Sequence, residues 1–318
     1  MKKNYGILIR LIVTLSVFFY LFNVIDFSSM VKNFSNLENY WVILAIFCMI
    51  SSNILGTLQW NLILKNLDIN LPFRKTVSYY FSGLFFNNFL LSFIGGDVVR
   101  VYDISKTSGK NSEAISTVLL DRLIGFIALS TLAMLGFFYA MNQLDLTKFV
   151  YFAPGIFIVL SIVLLFLFHK PFAKKFENIG IKLTPKRLQY RIREIYNSIN
   201  YYSSHPVLLV KLFIIAITIQ IARVLTHYFL AVSMGVDINL AYFLLFIPII
   251  TLVIALPISF GGIGVRESSA AVLFGTIGVP VEQTTVFEFL AYIIAILCSL
   301  PGGIAYVFRK YDVSKKAL

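Results

Sequence analysis

The chain has 318 residues, of which 58% are hydrophobic and 13% charged, with a net charge of +12 and a mean hydropathy of +0.84. Soluble domains average about 25% charged residues, so this composition excludes a water-soluble globule, a disordered chain and a disulfide scaffold. At about 20 residues per transmembrane helix, the length fits roughly eight membrane passes and leaves no room for a separate soluble domain.

Six continuous apolar stretches predict transmembrane helices. In chain order they occupy residues 6–25, 41–63, 115–141, 150–168, 206–234 and 285–308. Two further apolar stretches, residues 77–94 and 240–259, each run into a pair of glycines. Irregular backbone lies within a membrane only where protein or water satisfies its polar groups, so these two stretches predict broken or re-entrant helices. A surface loop that begins at the glycines is the alternative.

Lysine and arginine in the connecting segments predict the orientation. The net charge is +14 over the segments at residues 1–10, 65–76, 169–205 and 309–318. It is −3 over the other connecting segments, at residues 26–40, 141–149, 234–239 and 280–283. We therefore expect a multi-pass protein of the cell membrane with both termini and the long loop in the cytoplasm. The two glycine-bearing stretches would then enter the membrane from opposite sides.

The sequences around the two glycine pairs resemble each other. Both contain Ser-Phe followed by Gly-Gly-x-x-Val-Arg, which ends at Arg100 in the first stretch and at Arg266 in the second. A carboxylate follows each arginine at nearly the same distance along the chain, Asp121 in the first half and Glu288 in the second. Similar motifs in halves of opposite orientation are the inverted-repeat plan of secondary transporters. The prediction is therefore one all-α integral membrane domain over residues 1–318, with inverted repeats at 1–141 and 150–308.

The two motifs carry groups that bind anions. Glycine lets the backbone approach a ligand closely, and a helix that restarts after Gly96 or Gly264 presents free N–H groups and a positive dipole end. Arg100 and Arg266 follow within about one turn, where a guanidinium can bind a phosphate through two parallel hydrogen bonds. These features predict a site for an anionic headgroup, most simply a lipid phosphate.

Each arginine also has a structural alternative. An ion pair of Arg100 with Asp97 or Asp103, and of Arg266 with Glu267, would hold helices together without binding a ligand. The sequence leaves both interpretations open, and one arginine could serve each purpose.

Charged residues inside the apolar stretches mark function, because each costs roughly 2.5–3.5 kcal/mol to insert into a membrane. Arg223 lies one helical turn before His227 on the same face, beside Gln220. Asn53, Gln59, Asn87 and Asn88 favour interhelical hydrogen bonds. The predicted substrate-binding residues come from both halves: Gly95, Gly96, Asp97, Arg100, Asp121, Arg122, Arg223, Gly261, Gly262, Gly264, Arg266, Glu267 and Glu288.

Residues 169–205 form the extended hydrophilic region of the sequence. Apolar residues recur there at 4-3-4-3 spacing beside three arginines, at Leu188, Ile192, Ile195, Ile199 and Tyr202. This spacing predicts an amphipathic basic helix, which would lie on the anionic cytoplasmic leaflet. Packing over the cytoplasmic ends of the transmembrane helices is the alternative.

Taken together, the motifs resemble the lysylphosphatidylglycerol synthase transmembrane (flippase-like) family. The resemblance rests on Gly-Gly-Asp-x-x-Arg at 95–100, on Asp-Arg at 121–122 and on Leu-Pro-Ile-Ser-x-Gly-Gly-Ile-Gly-Val-Arg-Glu at 256–267, and it covers nearly the whole chain. It implies similarity to the membrane half of the multiple peptide resistance factor, which flips aminoacylated phosphatidylglycerol. It also implies that the family's polar positions fall on Asp97, Arg100, Asp121, Arg122, Arg266 and Glu267.

Two features depart from this family. Leu91 stands where a proline is usual before the first glycine pair, which implies a less sharp break. Bifunctional members carry a C-terminal aminoacyl-transfer domain, whereas only positions 309–318 follow Phe308 in this sequence.

Three functions fit these observations. The first is a translocase that moves an anionic or aminoacylated phospholipid, or a lipid-linked precursor, between leaflets. The second is an enzyme, a phosphatidylglycerol lysyltransferase or an integral glycosyltransferase, although the loops are short for a tRNA-binding domain or an acidic outer site. The third is a non-catalytic partner that holds a lipid-modifying synthase through its basic loop. We expect the first, with membrane phospholipids as partners and with no catalytic residues, metal, cofactor or nucleic acid.

Overall fold

A computed structural model of the chain describes residues 37–89, 94–141, 200–256, 259 and 261–309, together with residues 155, 158, 159, 194, 197 and 198. Eight α-helices are bounded within these residues, and no strand occurs among them. In chain order the helices are α1 Asn39–Asn66, α2 Phe73–Phe89, α3 Ile94–Ser108, α4 Asn111–Ala140, α5 Pro206–Ser233, α6 Leu240–Ile254, α7 Val265–Gly275 and α8 Val281–Val307. The predicted all-α membrane class is confirmed.

Four of the helices, α1, α4, α5 and α8, are long and apolar enough to cross a membrane. Each has 27 to 30 residues, and at 1.5 Å per residue this exceeds the hydrocarbon core of about 30 Å. They match the predicted spans at 41–63, 115–141, 206–234 and 285–308. The predicted span at 6–25 lies outside the described residues, and the one at 150–168 lies almost wholly outside them.

Each glycine-bearing stretch contributes two shorter helices. In the second stretch α6 ends at Ile254 and α7 begins at Val265. The turn before α7 contains Gly261, Gly262 and Gly264, with φ of 58°, 79° and 81°, which is left-handed backbone that glycine adopts without steric cost. The sequence predicted that the helix restarts after Gly96. In the first stretch, however, α3 begins at Ile94, so Gly95 and Gly96 lie inside its first turn. Leu91 lies outside the described residues.

Most helix bounds of the second half repeat those of the first at one shift along the chain, and the end of α6 and the starts of α7 and α8 depart from it by two to four residues. Helix α5 starts at 206 and ends at 233, and α1 starts at 39 and ends at 66. The same shift separates the starts of α6 and α2, the ends of α7 and α3, and the ends of α8 and α4. It also separates Glu288 from Asp121. This common register supports the predicted duplication of one structural unit.

The contacts between helices also relate the two halves. Helix α1 packs on α5, α2 packs on α8, and α6 packs on α4. If each of α1–α4 is replaced by the corresponding helix of α5–α8, and the reverse, every other packed pair of described α-helices becomes another packed pair. An approximate twofold axis would produce this arrangement. The inverted sense of the repeat, at 1–141 and 150–308, stays a prediction.

The described end of the 169–205 segment packs over the ends of two long helices. Tyr202 is fully buried, and its hydroxyl donates to the backbone carbonyl of Ile63, at 2.8 Å, near the end of α1. Burial raises the pKa of Tyr202 above its usual value. The Ser112 hydroxyl, at the start of α4, donates to Glu194 Oε2 at 2.7 Å. These contacts favour packing on the helix ends. The other predicted apolar positions, 188, 192, 195 and 199, lie outside the described residues.

Candidate functional site

A cavity of about 190 Å³ lies where the two halves meet. All eight described α-helices contribute to its wall, which is largely apolar. A mostly apolar wall with a few converging polar groups is typical of ligand sites. The charged lining residues are four arginines and two carboxylates: Arg100, Arg122, Arg223, Arg266, Asp121 and Glu288. The arginines of the two sequence motifs therefore share one cavity, although they belong to opposite halves of the chain.

On the first-half side of the cavity, Arg100 is held in a buried ion pair. It is 4% exposed, and its Nη2 donates to Asp121 Oδ2 at 2.8 Å. The guanidinium carbon lies 4.1 Å from the ring centre of Trp60 and 4.8 Å from that of Tyr80. Gln59 Nε2 donates to the other carboxylate oxygen of Asp121, at 2.9 Å. Both oxygens of Asp121 are thus satisfied by protein. Arg100 is held in an ion pair, as the structural alternative required, but its closest partner is Asp121 and not Asp97 or Asp103.

A second ion pair joins α3 to α4 beside the first. Asp97 accepts two hydrogen bonds from Arg122, one from Nε at 2.7 Å and one from Nη2 at 3.0 Å. Asp97 also lies 3.6 Å from Arg100 Nη1. Two-point pairing of this kind fixes the orientation of both side chains. Asp97 is not among the cavity-lining residues, so it positions the arginines and does not face a ligand.

Asp103, the other predicted partner of Arg100, binds a different arginine. Arg309 Nη1 donates to Asp103 Oδ2, and Arg309 Nη2 donates to the hydroxyl of Ser82 at 2.6 Å. These bonds fasten the end of α8 to α2 and α3. The charge pattern placed Arg309 among the cytoplasmic charges and did not predict this contact, because nothing local to either residue indicates a partner 206 positions away.

On the second-half side, Arg266 has no carboxylate within ion-pair distance among the described residues. Its guanidinium carbon lies 5.1 Å from the ring centre of Tyr292, and the side chain lines the cavity. Glu267, its predicted structural partner, instead accepts a hydrogen bond from the Gly264 N–H at 2.7 Å and so caps α7. Glu267 is 5% exposed and does not line the cavity. The structural alternative is therefore not the observed state of Arg266.

Helix α5 brings three polar residues to the same cavity, as its sequence spacing predicted. Gln220, Arg223 and His227 all line it. His227 Nδ1 lies 2.8 Å from Oε1 of Glu288, which is 0% exposed. Arg223 is half-buried, and no hydrogen bond or ion pair to it occurs within the described part of the chain. The cavity thus contains two arginines, Arg223 and Arg266, whose charge no described carboxylate neutralises directly.

The glycines of the two motifs serve close packing and do not line the cavity. The Gly96 N–H donates to Asn87 Oδ1 at 2.9 Å, and a Cβ at Gly96 would lie 1.8 Å from the carbonyl oxygen of Gly83. A Cβ at Gly261 would lie 2.3 Å from the carbonyl oxygen of Asn88. The N–H groups of Gly96 and Gly264 are both occupied by side-chain acceptors. These two N–H groups are therefore not free for a ligand.

The structure thus divides the predicted site residues into two groups. Those that line the cavity are Arg100, Asp121, Arg122, Arg223, Arg266 and Glu288. Those that do not line it, and instead shape or brace its wall, are Gly95, Gly96, Asp97, Gly261, Gly262, Gly264 and Glu267. The sequence analysis did not select Trp60, Tyr80 or Tyr292, whose rings contact the arginines. Aromatic residues are common in transmembrane helices, so these three carried no distinguishing signal.

The similarity of this chain to known proteins extends over both of its halves. The family model described as "Lysylphosphatidylglycerol synthase TM region" matches residues 7–303. The UPF0104 membrane protein PH1989 of Pyrococcus horikoshii is 26% identical over 287 residues, which cover 83% of this chain and 85% of that protein. The UPF0104 membrane protein MJ1595 of Methanocaldococcus jannaschii is 23% identical over 310 residues, which cover 92% of this chain and 91% of that protein.

Proposed function

Because the chain belongs to the lysylphosphatidylglycerol synthase transmembrane-region family, we propose that it is a lipid translocase. Its substrate would be an anionic or aminoacylated phospholipid, or a lipid-linked precursor, whose headgroup crosses the membrane through the cavity between the two halves. We further propose that it lies in the cell membrane with both termini in the cytoplasm. A lipid-modifying synthase that supplies the substrate is a second proposed partner, beside the membrane phospholipids.

The observation that carries this proposal is the pair of arginines Arg223 and Arg266. Both line the cavity, and neither has an ion-pair partner among the described residues. A charge inside a membrane is costly unless it is paired, and a phosphate group accepts charge-assisted hydrogen bonds from guanidinium groups. A lipid phosphate between these arginines would supply the missing negative charge. The apolar wall around them is suited to the first methylene groups of the acyl chains.

The division of roles among the arginines supports the same conclusion. Arg100 is neutralised by Asp121, and Arg122 is neutralised by Asp97. These two pairs brace one side of the cavity and keep its shape while a headgroup passes. A cavity that served only as packing space would have no use for two further unneutralised arginines.

Leaflet exchange in reconstituted vesicles tests the proposal. Purified full-length protein is placed in vesicles with a trace of headgroup-intact phosphatidylglycerol labelled on one acyl chain, and bleaching of the outer leaflet measures exchange. Parallel vesicles contain labelled lysyl-phosphatidylglycerol or phosphatidylcholine. We expect faster exchange of one or both of the first two lipids. Arg266→Gln should slow it by at least about tenfold, because the phosphate loses charge-assisted hydrogen bonds worth roughly 1.5–3 kcal/mol.

Arg74→Gln is the matched control, because Arg74 is exposed at the start of α2, away from the cavity. Its exchange rate should equal that of the unsubstituted protein. The proposal is wrong if the protein accelerates none of the labelled lipids, or if Arg266→Gln and Arg74→Gln exchange lipid at the same undiminished rate.

A further inference from the structure

Glu288 is fully buried, and only one of its two carboxyl oxygens has a hydrogen-bond partner among the described residues. Its Oε1 bonds to His227 Nδ1 at 2.8 Å, and its Oε2 has no hydrogen-bond partner among the described residues. The residue is 0% exposed and belongs to the cavity wall. A buried charged oxygen without a partner is costly, and binding a proton removes the charge and so lowers that cost.

The charged and titratable groups near Glu288 come from α5, α7 and α2, three of the helices that pack on α8. Helix α5 contributes His227 and Arg223, and α7 contributes Arg266 and Glu267. From α1 and α2 the titratable group on the cavity wall is Tyr80. The carboxylate of Glu267 is fixed as the cap of α7. Glu288 and His227 therefore form the one pair of titratable groups on the described cavity wall that is not locked by an arginine or a helix terminus.

We propose that the Glu288–His227 pair is a proton-binding site coupled to headgroup binding, so that the protein takes up one proton with each anionic headgroup. This inference rests on the proposed function, because it needs an anion in the cavity. In the empty cavity Oε1 is held by the hydrogen bond to Nδ1, and Oε2 has no partner among the described residues. As the phosphate binds, one proton passes from cavity water to Oε2. When the headgroup leaves, Oε2 returns that proton to water.

The direction of the coupling follows from charge. The phosphate of a phospholipid keeps its negative charge throughout the range from pH 5 to 8. A negatively charged Glu288 repels that phosphate from Arg223 and Arg266, and a protonated Glu288 does not. Proton and anion therefore favour each other's binding by the same factor. Asp121, at the equivalent place in the first half, has both oxygens occupied by Arg100 and Gln59, so it should not join in this exchange.

Titration calorimetry of the purified full-length protein with short-chain phosphatidylglycerol tests this coupling. The binding enthalpy is measured in buffers of different ionisation enthalpy, which counts the protons taken up per lipid. Affinity should rise as pH falls, by up to tenfold per pH unit for one linked proton, with uptake approaching one proton per lipid. Glu288→Gln should bind the lipid with affinity independent of pH and with uptake near zero. Glu288→Asp, which keeps a carboxyl group, should restore part of the uptake.

The control variant is Asp237→Asn, which removes an exposed carboxylate from the segment between α5 and α6. It should take up protons as the unsubstituted protein does. Lipid binding without pH dependence, or proton uptake that survives in Glu288→Gln, would overturn the proton site and leave the translocase proposal standing. If the unsubstituted protein binds no phosphatidylglycerol at any pH, the proposed anion site fails and the proton site fails with it.

Discussion

The two halves of the described chain place a carboxylate at equivalent positions, and each half gives it different partners. In the first half Asp121 is saturated by Arg100 and Gln59 at 2.8 and 2.9 Å. In the second half Glu288 bonds to His227 through one oxygen, and its second oxygen has no described partner. The motif arginines also differ in their aromatic contacts, since Arg100 contacts the rings of Trp60 and Tyr80 and Arg266 lies against the ring of Tyr292.

This difference shows that equivalent positions in two similar halves can have different roles. The first half uses its charged groups in ion pairs that fix α1, α3 and α4 against one another. In the second half Arg223 and Arg266 line the cavity without an ion-pair partner among the described residues, whereas Glu288 bonds to His227 and Glu267 caps α7. A common ancestor of the two halves would explain why the positions match, and the division of roles explains why the residues at those positions do not.

The largest predicted effect is the difference in protein stability between variants of the two motif arginines. Arg100→Ala leaves the buried carboxylate of Asp121 without its cation, which should cost about 3–5 kcal/mol. Arg266→Ala loses a cation–π contact worth about 0.5–1 kcal/mol. Thermal unfolding in detergent, followed by size-exclusion chromatography, measures both. Equal destabilisation by the two variants would show that Arg266 is also a structural residue and would remove the contrast between the halves.

A second prediction concerns how closely the helices cross. Gly96→Ala places a Cβ 1.8 Å from the backbone oxygen of Gly83, so α2 and α3 must move apart, at a cost of about 1–3 kcal/mol. The counterpart of Gly96 in the second motif is Gly262, where an added Cβ would lie 2.4 Å from the side chain of Ile254 and not from backbone. Gly275→Ala is the control, since no atom lies within 4 Å of its added Cβ, and it should unfold at the original temperature. Unchanged stability of Gly96→Ala would contradict the close crossing.

The third prediction concerns the lipid that the protein retains. Arg223→Gln should lower the anionic phospholipid that copurifies with the protein about tenfold, equivalent to about 1.4 kcal/mol, as measured by mass spectrometry of lipid per mole of protein. Lys211→Gln removes an exposed positive charge from the same helix and should retain the normal amount. If both variants lose equal amounts of lipid, the loss reflects net charge and not the cavity.

Much of the fold could be predicted because its signals are local. Hydropathy located α1, α4, α5 and α8 to within a few residues, and the repeated Gly-Gly-x-x-Val-Arg motif pointed to the duplication that the common shift between the halves supports. The position of the first helix break was wrong by a few residues, because the glycines that seemed to mark it instead let α3 cross α2 closely. A glycine pair has the same sequence signature in both situations.

The sequence by itself determined the membrane environment, the helical segments and the set of charged residues inside them, because each of these follows from composition and spacing along one helix. Only the tertiary structure decided which charges neutralise each other. Arg100 pairs with Asp121 and not with Asp103, Asp103 pairs with Arg309, and Arg266 faces the cavity. The partners of a buried charge are set by the distances between helices, and those distances depend on the packing of residues far apart in the chain.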